Sequence, residues 1–399
     1  MKKYLVTGGA GFIGANFVKF ILNKWGSDID VTIFDALTYA GNLESIKNEL
    51  ALPNVRFVKG NICDEQAVNR VMNEIDPDFV VNFAAESHVD RSIENPRSFI
   101  ETNVLGTHTL LEAARRSWLC GKTEDGKPRY RDGKKFLQIS TDEVYGSLPR
   151  DFDSPVELVL DEETGRVATG RKDLKTFGKE LFKESTPLAP RSPYSASIAS
   201  ADMLTEAYSE TFGLPVNITR CSNNYGPAQF PEKLIPLIFN NVLKGISLPV
   251  YGKGENVRDW LYVDDHCSAI DAVLRHGRTG EVYNIGGFNE EQNITIVKTI
   301  IDIMARMLRD NPQYREQLHQ PLENVNHDMI TFVSDRPGHD MRYAIDPAKT
   351  ATELGWYPET PFTEGIEKTI KWYFDNPDWV ASVTSGDYLR YYEQMYGDR

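Results

Sequence analysis

The chain is poor in cysteine, has no long apolar run and carries too little basic charge to balance its acids. Its four cysteines, Cys63, Cys120, Cys221 and Cys267, are spread over 399 residues and form no C-x-x-C pair. That spacing argues against a disulfide framework or a metal site and suits the reduced thiols of a cytoplasmic protein. The apolar stretch near the start is broken by Gly8 and Gly9, so neither a secretory signal nor a membrane span is expected. Lysine and arginine total 44 against 58 acids, a net charge of −14. Nucleic-acid and anionic-membrane surfaces need a basic excess, so neither partner is expected. A local basic pocket for a small phosphorylated ligand is still compatible with that balance. The remaining composition, 41% hydrophobic and 26% charged, is that of an ordinary globular protein long enough for two or three domains.

What the chain does contain begins at Tyr4–Thr7, a short apolar strand running into GGAGFIG and then the helix-like ANFVKFILNKW. A strand, a glycine turn and a helix place helix N-terminal N–H groups where a pyrophosphate sits. Gly8, Gly11 and Gly14 have the wider G-x-x-G-x-x-G spacing, and Gly9, Gly11 and Gly14 also satisfy G-x-G-x-x-G. A tight turn against a closely packed helix uses the same residues, so the glycines alone are a weak signal. A second apolar strand, VTIFD, ends at Asp35, about twenty residues past the glycines, where an acid can accept from an adenosine ribose. A solvated strand end is the plain alternative, but the loop before it favours the ribose role. No arginine follows Asp35 directly, which favours NAD over NADP.

Further strand-like runs at 55–58, 78–83, 135–140 and 216–221 alternate with helical patterns such as 103–116. The alternation predicts an α/β fold with a doubly wound parallel (Rossmann) sheet, whose strand carboxyl ends carry the site. At one such end KFLQIS runs into TDEVYG, which sets Thr141 beside Asp142 and Glu143. Two carboxylates in a cleft divide into acid and base when their environments separate their pKa values. A capping box from Ser140 to Glu143 is the bland alternative, though it leaves the Thr141–Asp142 pair unexplained.

Tyr194 starts a further helix, after Ser192 and Pro193. Projecting 194–212 puts Ala196, Met203 and Ala207 on one side, next to Leu204 and Tyr208, and predicts an apolar stripe there. Tyr194, Ile198, Asp202 and Thr205 fall opposite, a face on which core packing is a poor explanation for Ile198.

The segments GGAGFIG, AAESHVDRS, STDEVYG, SPYSAS-x-ASAD, CSNNYGP, FPEKLIP, RDWLYVDDH and DRPGHDMRYAID together resemble the dTDP-glucose 4,6-dehydratase family of the extended short-chain dehydrogenase/reductase superfamily. The resemblance covers almost the whole chain, with insertions near 120–134 and 149–176. It implies an NAD-dependent lyase that converts dTDP-glucose to dTDP-4-keto-6-deoxyglucose by reducing and reoxidising its cofactor. By that resemblance Tyr194 takes the 4-hydroxyl proton, Thr141 bonds the 4-oxygen, Glu143 removes the carbon-5 proton and Asp142 protonates the departing 6-hydroxyl. The glycine loop, Phe12, Ile13, Asp35, Thr38, Asn61, Ile62, Ala84, Ala85, Ser87, Thr102, Tyr194 and Asn224 would contact NAD. Asn61 stands where the family usually has aspartate, and an amide can also pair with adenine. Ser87, Thr141, Asn223, Lys233, Leu234, Pro249, Tyr251, Arg258, Asn293, Asp335, Arg336 and His339 would contact the nucleotide sugar, with Lys233 and Arg258 offsetting the diphosphate. Residues 1–228 would form the NAD domain and 229–399 mainly a smaller α/β sugar-nucleotide domain, with the chain crossing back near 281–287. A homodimer is expected, since helices 99–118 and 194–212 carry more apolar surface than one sheet face needs and the superfamily pairs them.

One position departs from this pattern. The family motif is Y-x-x-x-K, and residue 198 is isoleucine. An isoleucine supplies no charge to lower the tyrosine pKa and no donor to the nicotinamide ribose, so impaired turnover is expected. A nucleotide-sugar 4-epimerase shares the fold, the NAD and Tyr194, but has no need of Asp142 and Glu143. A non-catalytic nucleotide-sugar binding protein is the other rival, and Ile198 is its main support.

Overall fold

The structure, a computed structural model, describes residues 1–158, 174–335 and 338–384. Arg336 and the middle of the 149–176 insertion therefore lie outside the described residues. Seven parallel strands form the central sheet: β1 (Lys2–Thr7), β2 (Ile29–Asp35), β3 (Val55–Lys59), β4 (Phe79–Asn82), β5 (Lys135–Thr141), β6 (Val216–Cys221) and β7 (Val282–Ile285). Their order is β7-β6-β5-β4-β1-β2-β3, with registers such as Tyr4 beside Val31 on one side and Phe79 on the other. The order reverses between β1 and β4, where a doubly wound sheet opens its crevice.

The strands are apolar on both faces, as a covered parallel sheet requires. Tyr4 and Val6 point into a core shared with helices α1 (Phe12–Trp25) and α5 (Val263–His276), while Leu5 points into a core with α2 (Glu65–Ile75) and α3 (Thr107–Trp118). Inside the sheet a polar thread crosses three strands. The Thr7 hydroxyl donates to Asn82 Oδ1 at 2.6 Å, and Asn82 Nδ2 donates to Gln138 Oε1 at 2.8 Å. All three residues are buried, so each polar group is satisfied by the next.

Helix α4 (Pro193–Phe212) opens with a capping box between Ser192 and Ser195 and ends on Gly213 in the left-handed conformation. Its burial corrects the projected stripe. Ala196, Met203 and Ala207 face outward, whereas Tyr194, Ile198, Asp202 and Thr205 are buried. The opposite face is buried because charge is neutralised there: Asp202 Oδ2 accepts from Arg220 Nε at 2.8 Å and from the Ser140 hydroxyl at 2.9 Å. Ile198 also packs in a cluster with Phe99, Tyr194, Ala199 and Tyr343, so core packing does contribute at that position.

A second core is built from the helices Leu234–Lys244, Asn293–Asp310 and Phe362–Asp375, with the ladder of Leu248–Tyr251 against Ile330–Val333 at its edge. The first insertion forms a hairpin of Leu119–Lys122 and Pro128–Tyr130. The second is stapled by Arg342, whose side chain has no exposed surface. Its Nε and Nη2 meet the two Glu290 oxygens at 2.7 and 2.9 Å. Nη2 also donates to Thr176 Oγ1 at 3.0 Å, and Nη1 to the Glu180 carbonyl at 2.8 Å. Among the described residues no helix is long and apolar enough to cross a membrane.

Candidate active site and cofactor cleft

The cleft at the carboxyl ends of the strands is built first by glycine. Gly8 has φ +67°, and a Cβ on Gly14 would lie 2.3 Å from the Gly8 carbonyl oxygen. No larger residue fits this contact, so the loop lies tight on the start of α1 and brings its first-turn N–H groups to the cleft. Asp35 ends β2, accepting from the Ala10 and Leu37 N–H groups at 2.9 and 2.8 Å. Those two bonds leave acceptor capacity on both oxygens for a diol. A cradle that excludes side chains, faced by a held carboxylate, fits an adenosine diphosphate and its ribose. NAD chemistry would therefore find its binding residues in place.

All the residues expected to contact NAD line this one cleft: Gly8, Gly11, Phe12, Ile13, Gly14, Asp35, Thr38, Asn61, Ile62, Ala84, Ala85, Ser87, Thr102, Tyr194 and Asn224. Like Asp35, two asparagines among them have part of their side chain committed within the protein. Asn61 Oδ1 accepts from the Cys63 N–H at 2.9 Å. Asn224 Oδ1 accepts from His266 Nδ1 at 2.8 Å, and its Nδ2 donates to the Ser222 carbonyl at 2.9 Å. His266 is fully buried, and burial pushes its pKa down to about 3. It is neutral at physiological pH, with its proton on Nδ1.

Thr141, Glu143, Tyr194 and Ile198 line the same cleft. The Thr141 hydroxyl accepts from the Glu143 N–H at 3.3 Å, capping the turn Asp142–Tyr145. Ser140 does not make the alternative capping box, because its hydroxyl is given to Asp202. Asp142 lies just behind the lining, 1% exposed, with Oδ2 buried and without a hydrogen-bond partner among the described residues. Burial, followed by the nearby charges of Glu143 and Asp259, holds its carboxyl well above the usual range, against the cation of Arg258. The Tyr194 hydroxyl is likewise pushed well up by burial and then by Glu143, with a Thr141 hydrogen bond opposing. The site thus favours a neutral phenol and a neutral Asp142 beside Glu143.

The expected sugar-nucleotide residues separate into groups. Ser87, Thr141, Asn223 and Lys233 line the cleft, and Asn223 Oδ1 is buried with no hydrogen-bond partner among the described residues. Leu234 begins the helix that follows Lys233, and Asn293 begins Asn293–Asp310. Pro249 and Tyr251 lie on the two-stranded ladder, beside Asp335 and His339, whose Oδ1 and Nδ1 are 2.6 Å apart. Arg258 is buried, stacked 4.2 Å over the Tyr343 ring and donating to the Asp340 carbonyl at 2.9 Å.

Sequence reasoning missed Glu232, Glu86 and Phe230, which also line the cleft. Glu232 was legible as the neighbour of Lys233. It missed Asn103 as well. In the π-helical stretch Ile100–Gly106, Asn103 exchanges hydrogen bonds with the Glu86 main chain at 2.8 and 3.0 Å and donates to Ser197 Oγ at 2.8 Å. Ser197 in turn donates to the Tyr194 carbonyl at 2.7 Å, so Asn103 ties the cleft wall to the tyrosine helix.

A glycine-cradled cleft at the switch point of a doubly wound sheet defines a Rossmann-type dinucleotide-binding enzyme. The chain belongs to the NAD dependent epimerase/dehydratase family, whose model matches residues 4–286. Within that class it is similar over its whole length to the dTDP-glucose 4,6-dehydratases. It is 48% identical to the Shigella flexneri enzyme of that name over 397 residues, covering 100% of this chain and 99% of that one. The crystal structure of the Bacillus anthracis dTDP-glucose 4,6-dehydratase with NAD superposes with a TM-score of 0.75 at 42% identity, covering 96% and 100% of the two chains. That of the Streptomyces venezuelae enzyme, with NAD and TYD bound, gives 0.77 at 39%, covering 96% and 99%.

Proposed function

We propose that this chain is a dTDP-glucose 4,6-dehydratase with NAD as its cofactor, and that Ile198 depresses its turnover at neutral pH. The observation that carries the reading is the Asp142–Glu143 pair beside Thr141 and Tyr194 at one strand end, in a cleft with the glycine cradle. An epimerase needs a tyrosine there but not two carboxylates. Bound NAD would accept hydride from carbon 4 and return it to carbon 6. Tyr194, hydrogen-bonded to Thr141, takes the 4-hydroxyl proton when it is in its minor phenolate form. The resulting ketone acidifies carbon 5, and Glu143 removes that proton. Asp142, kept protonated by burial, supplies the proton with which the 6-hydroxyl leaves as water. Elimination needs a base and an acid at once, which accounts for two adjacent carboxyls in unlike surroundings.

Asn223 and Lys233 would hold the sugar end. The group of Pro249, Tyr251, Asp335 and His339, with Arg336 between the last two in sequence, would hold the nucleotide in a lobe formed mainly by residues 229–399. The outward stripe of α4, with Met203 57% exposed and Ile100 and Leu105 each 54% exposed, supports a homodimer through helices 99–118 and 194–212 in a cytoplasmic enzyme. Light scattering at micromolar concentration tests it, and a monomer would refute it.

The function is tested by mixing the chain with NAD and dTDP-glucose at pH 9 and following the product by mass and by proton NMR, which separates 4-epimers. Loss of one water with retention of the nucleotide supports the reading. Binding without product would favour a non-catalytic nucleotide-sugar binding protein, and a 4-epimer would favour an epimerase.

A further inference from the structure

Three separate pieces of chain meet across the cleft through one buried carboxylate. Tyr39 lies in the loop after β2, between the cleft residues Thr38 and Ala40. Arg91 lies on the short helix Val89–Glu94, just past the cleft residue Ser87. Glu232 comes from the segment that precedes the helix Leu234–Lys244. Glu232 lines the cleft, yet its side chain is only 2% exposed. One of its oxygens accepts from Arg91 Nε at 3.0 Å and the other from the Tyr39 hydroxyl at 3.2 Å. The Arg91 guanidinium lies 3.8 Å from the centre of the Tyr39 ring. Phe230 meets the same ring edge-on at 5.7 Å, and Lys233 Nζ donates to the Ser87 carbonyl at 2.9 Å.

We infer that Tyr39, Arg91 and Glu232 form a clasp over the dinucleotide cleft, with Arg91 as the residue that holds it shut and so keeps NAD from exchanging between turnovers. Each member also belongs to, or adjoins, a different wall of the cleft. The ion pair, the hydroxyl bond and the ring stack must therefore part together before the walls can separate. A desolvated, hydrogen-bonded ion pair opens slowly, since each opening leaves a charge without its partner. The inference rests on the dehydratase reading, which gives retention a purpose: a cofactor reduced early in the cycle must still be present to be reoxidised at its end.

A gate has a kinetic signature that a direct ligand contact lacks. Opening the clasp speeds entry and exit alike, whereas losing a contact to NAD speeds exit alone. The test loads the purified chain with NAD, chases with excess unlabelled NAD and measures association by stopped-flow protein fluorescence. In Arg91→Ala both rate constants should rise, by roughly ten- to a hundredfold, with Kd staying within about threefold. Arg91→Lys keeps the charge but loses the planar stack, and Tyr39→Phe keeps the stack but loses the hydroxyl, so both should fall between parent and Arg91→Ala. Circular dichroism of each variant checks that it is folded. If exit alone accelerates, Arg91 is a ligand contact and the clasp is wrong; if neither rate changes in folded Arg91→Ala and Tyr39→Phe, it is equally wrong. A parent chain that does not bind NAD overturns the cofactor reading and the clasp together, whereas a parent that binds NAD but makes no dehydrated sugar overturns only the dehydratase reading.

Discussion

Replacing Ile198 by lysine should place a cation beside Tyr194. Ordinary tyrosine is about 0.1% phenolate at neutral pH, and burial beside Glu143 holds Tyr194 above that pKa, so its phenolate is rarer still. Residue 198 is one helical turn away, with Cβ atoms about 5–6 Å apart, and it lines the same cleft. An ammonium about 5 Å from the phenolate gains about 3 kcal/mol at an effective dielectric of 20, roughly two pKa units. A step that needs phenolate should therefore run about a hundredfold faster at pH 7, within a range of roughly tenfold to a thousandfold. The gain comes with a stability cost, because Ile198 is 3% exposed among Phe99, Tyr194 and Tyr343. The lysine form should melt lower without NAD and recover part of the loss with it. The assay is single-turnover reduction of bound nicotinamide from pH 6 to 10, in both forms and in Ile198→Met as a shape control. In the isoleucine form the logarithm of the rate should climb by one per pH unit without a plateau by pH 10. The lysine form should level off earlier. If the isoleucine form matches it at pH 7, or if methionine accelerates equally, the electrostatic account of residue 198 is wrong.

The carboxyl pair should act at separable stages in the Ile198→Lys background. Glu143→Gln should abolish exchange of the carbon-5 proton with solvent while sparing substrate affinity, and Asp142→Asn should slow loss of water more than the initial oxidation. If both variants kept turnover within about twofold, a difference under 0.5 kcal/mol, a purely structural role would be the better account. At Gly14, alanine should lower NAD affinity more than tenfold, since its Cβ would meet the Gly8 carbonyl at 2.3 Å; titration by fluorescence reads this, and unchanged affinity would refute the close cradle. His266 gives an acid limb to stability. Its pKa falls from 6.5 to about 3 in the fold, so its contribution is complete above pH 6.5 and is lost as pH drops toward 3. The span corresponds to about 5 kcal/mol at most. Urea melts at pH 7 and 4.5 should show a smaller pH-dependent loss in His266→Gln than in the parent; equal losses would remove His266 from the account.

Much of this site could be read from local pattern. The glycine loop, Asp35 and TDEVYG each sit at the end of an apolar strand, and a parallel sheet gathers its strand ends onto one edge, so residues far apart in sequence meet without further information. One reading and one alternative fail for a single physical reason. The outward face of α4 looked like the core stripe because Ala196, Met203 and Ala207 are apolar, while its true inner face includes Asp202. A helix projection scores a carboxylate as surface and has no knowledge that Arg220 and Ser140 wait for it on β6 and β5. The capping box that Ser140 offered as an alternative fails for the same reason, the partner of Ser140 being 62 residues away. Asn103, which ties the π-helical stretch to Glu86 and Ser197, left no sequence signal, because an asparagine within a helical pattern reads as a neutral surface residue.

The staple made by Arg342 changes what kind of object the second insertion is. A surface excursion is ordinarily the most disposable part of a fold, open to trimming or to grafting of a foreign sequence. Here Thr176 and the Glu180 carbonyl complete the coordination of a guanidinium that has no access to water. Trimming the stem would leave the ion pair with Glu290 in place but would leave buried guanidinium N–H groups without acceptors, at about 1–3 kcal/mol each. Length variation is therefore costly at the base of the excursion. Arg342 is followed directly by Tyr343, whose ring stacks on Arg258, so damage at the base would also be transmitted to the field around Asp142. The base of the insertion is in this sense a part of the core that happens to be reached by way of the surface.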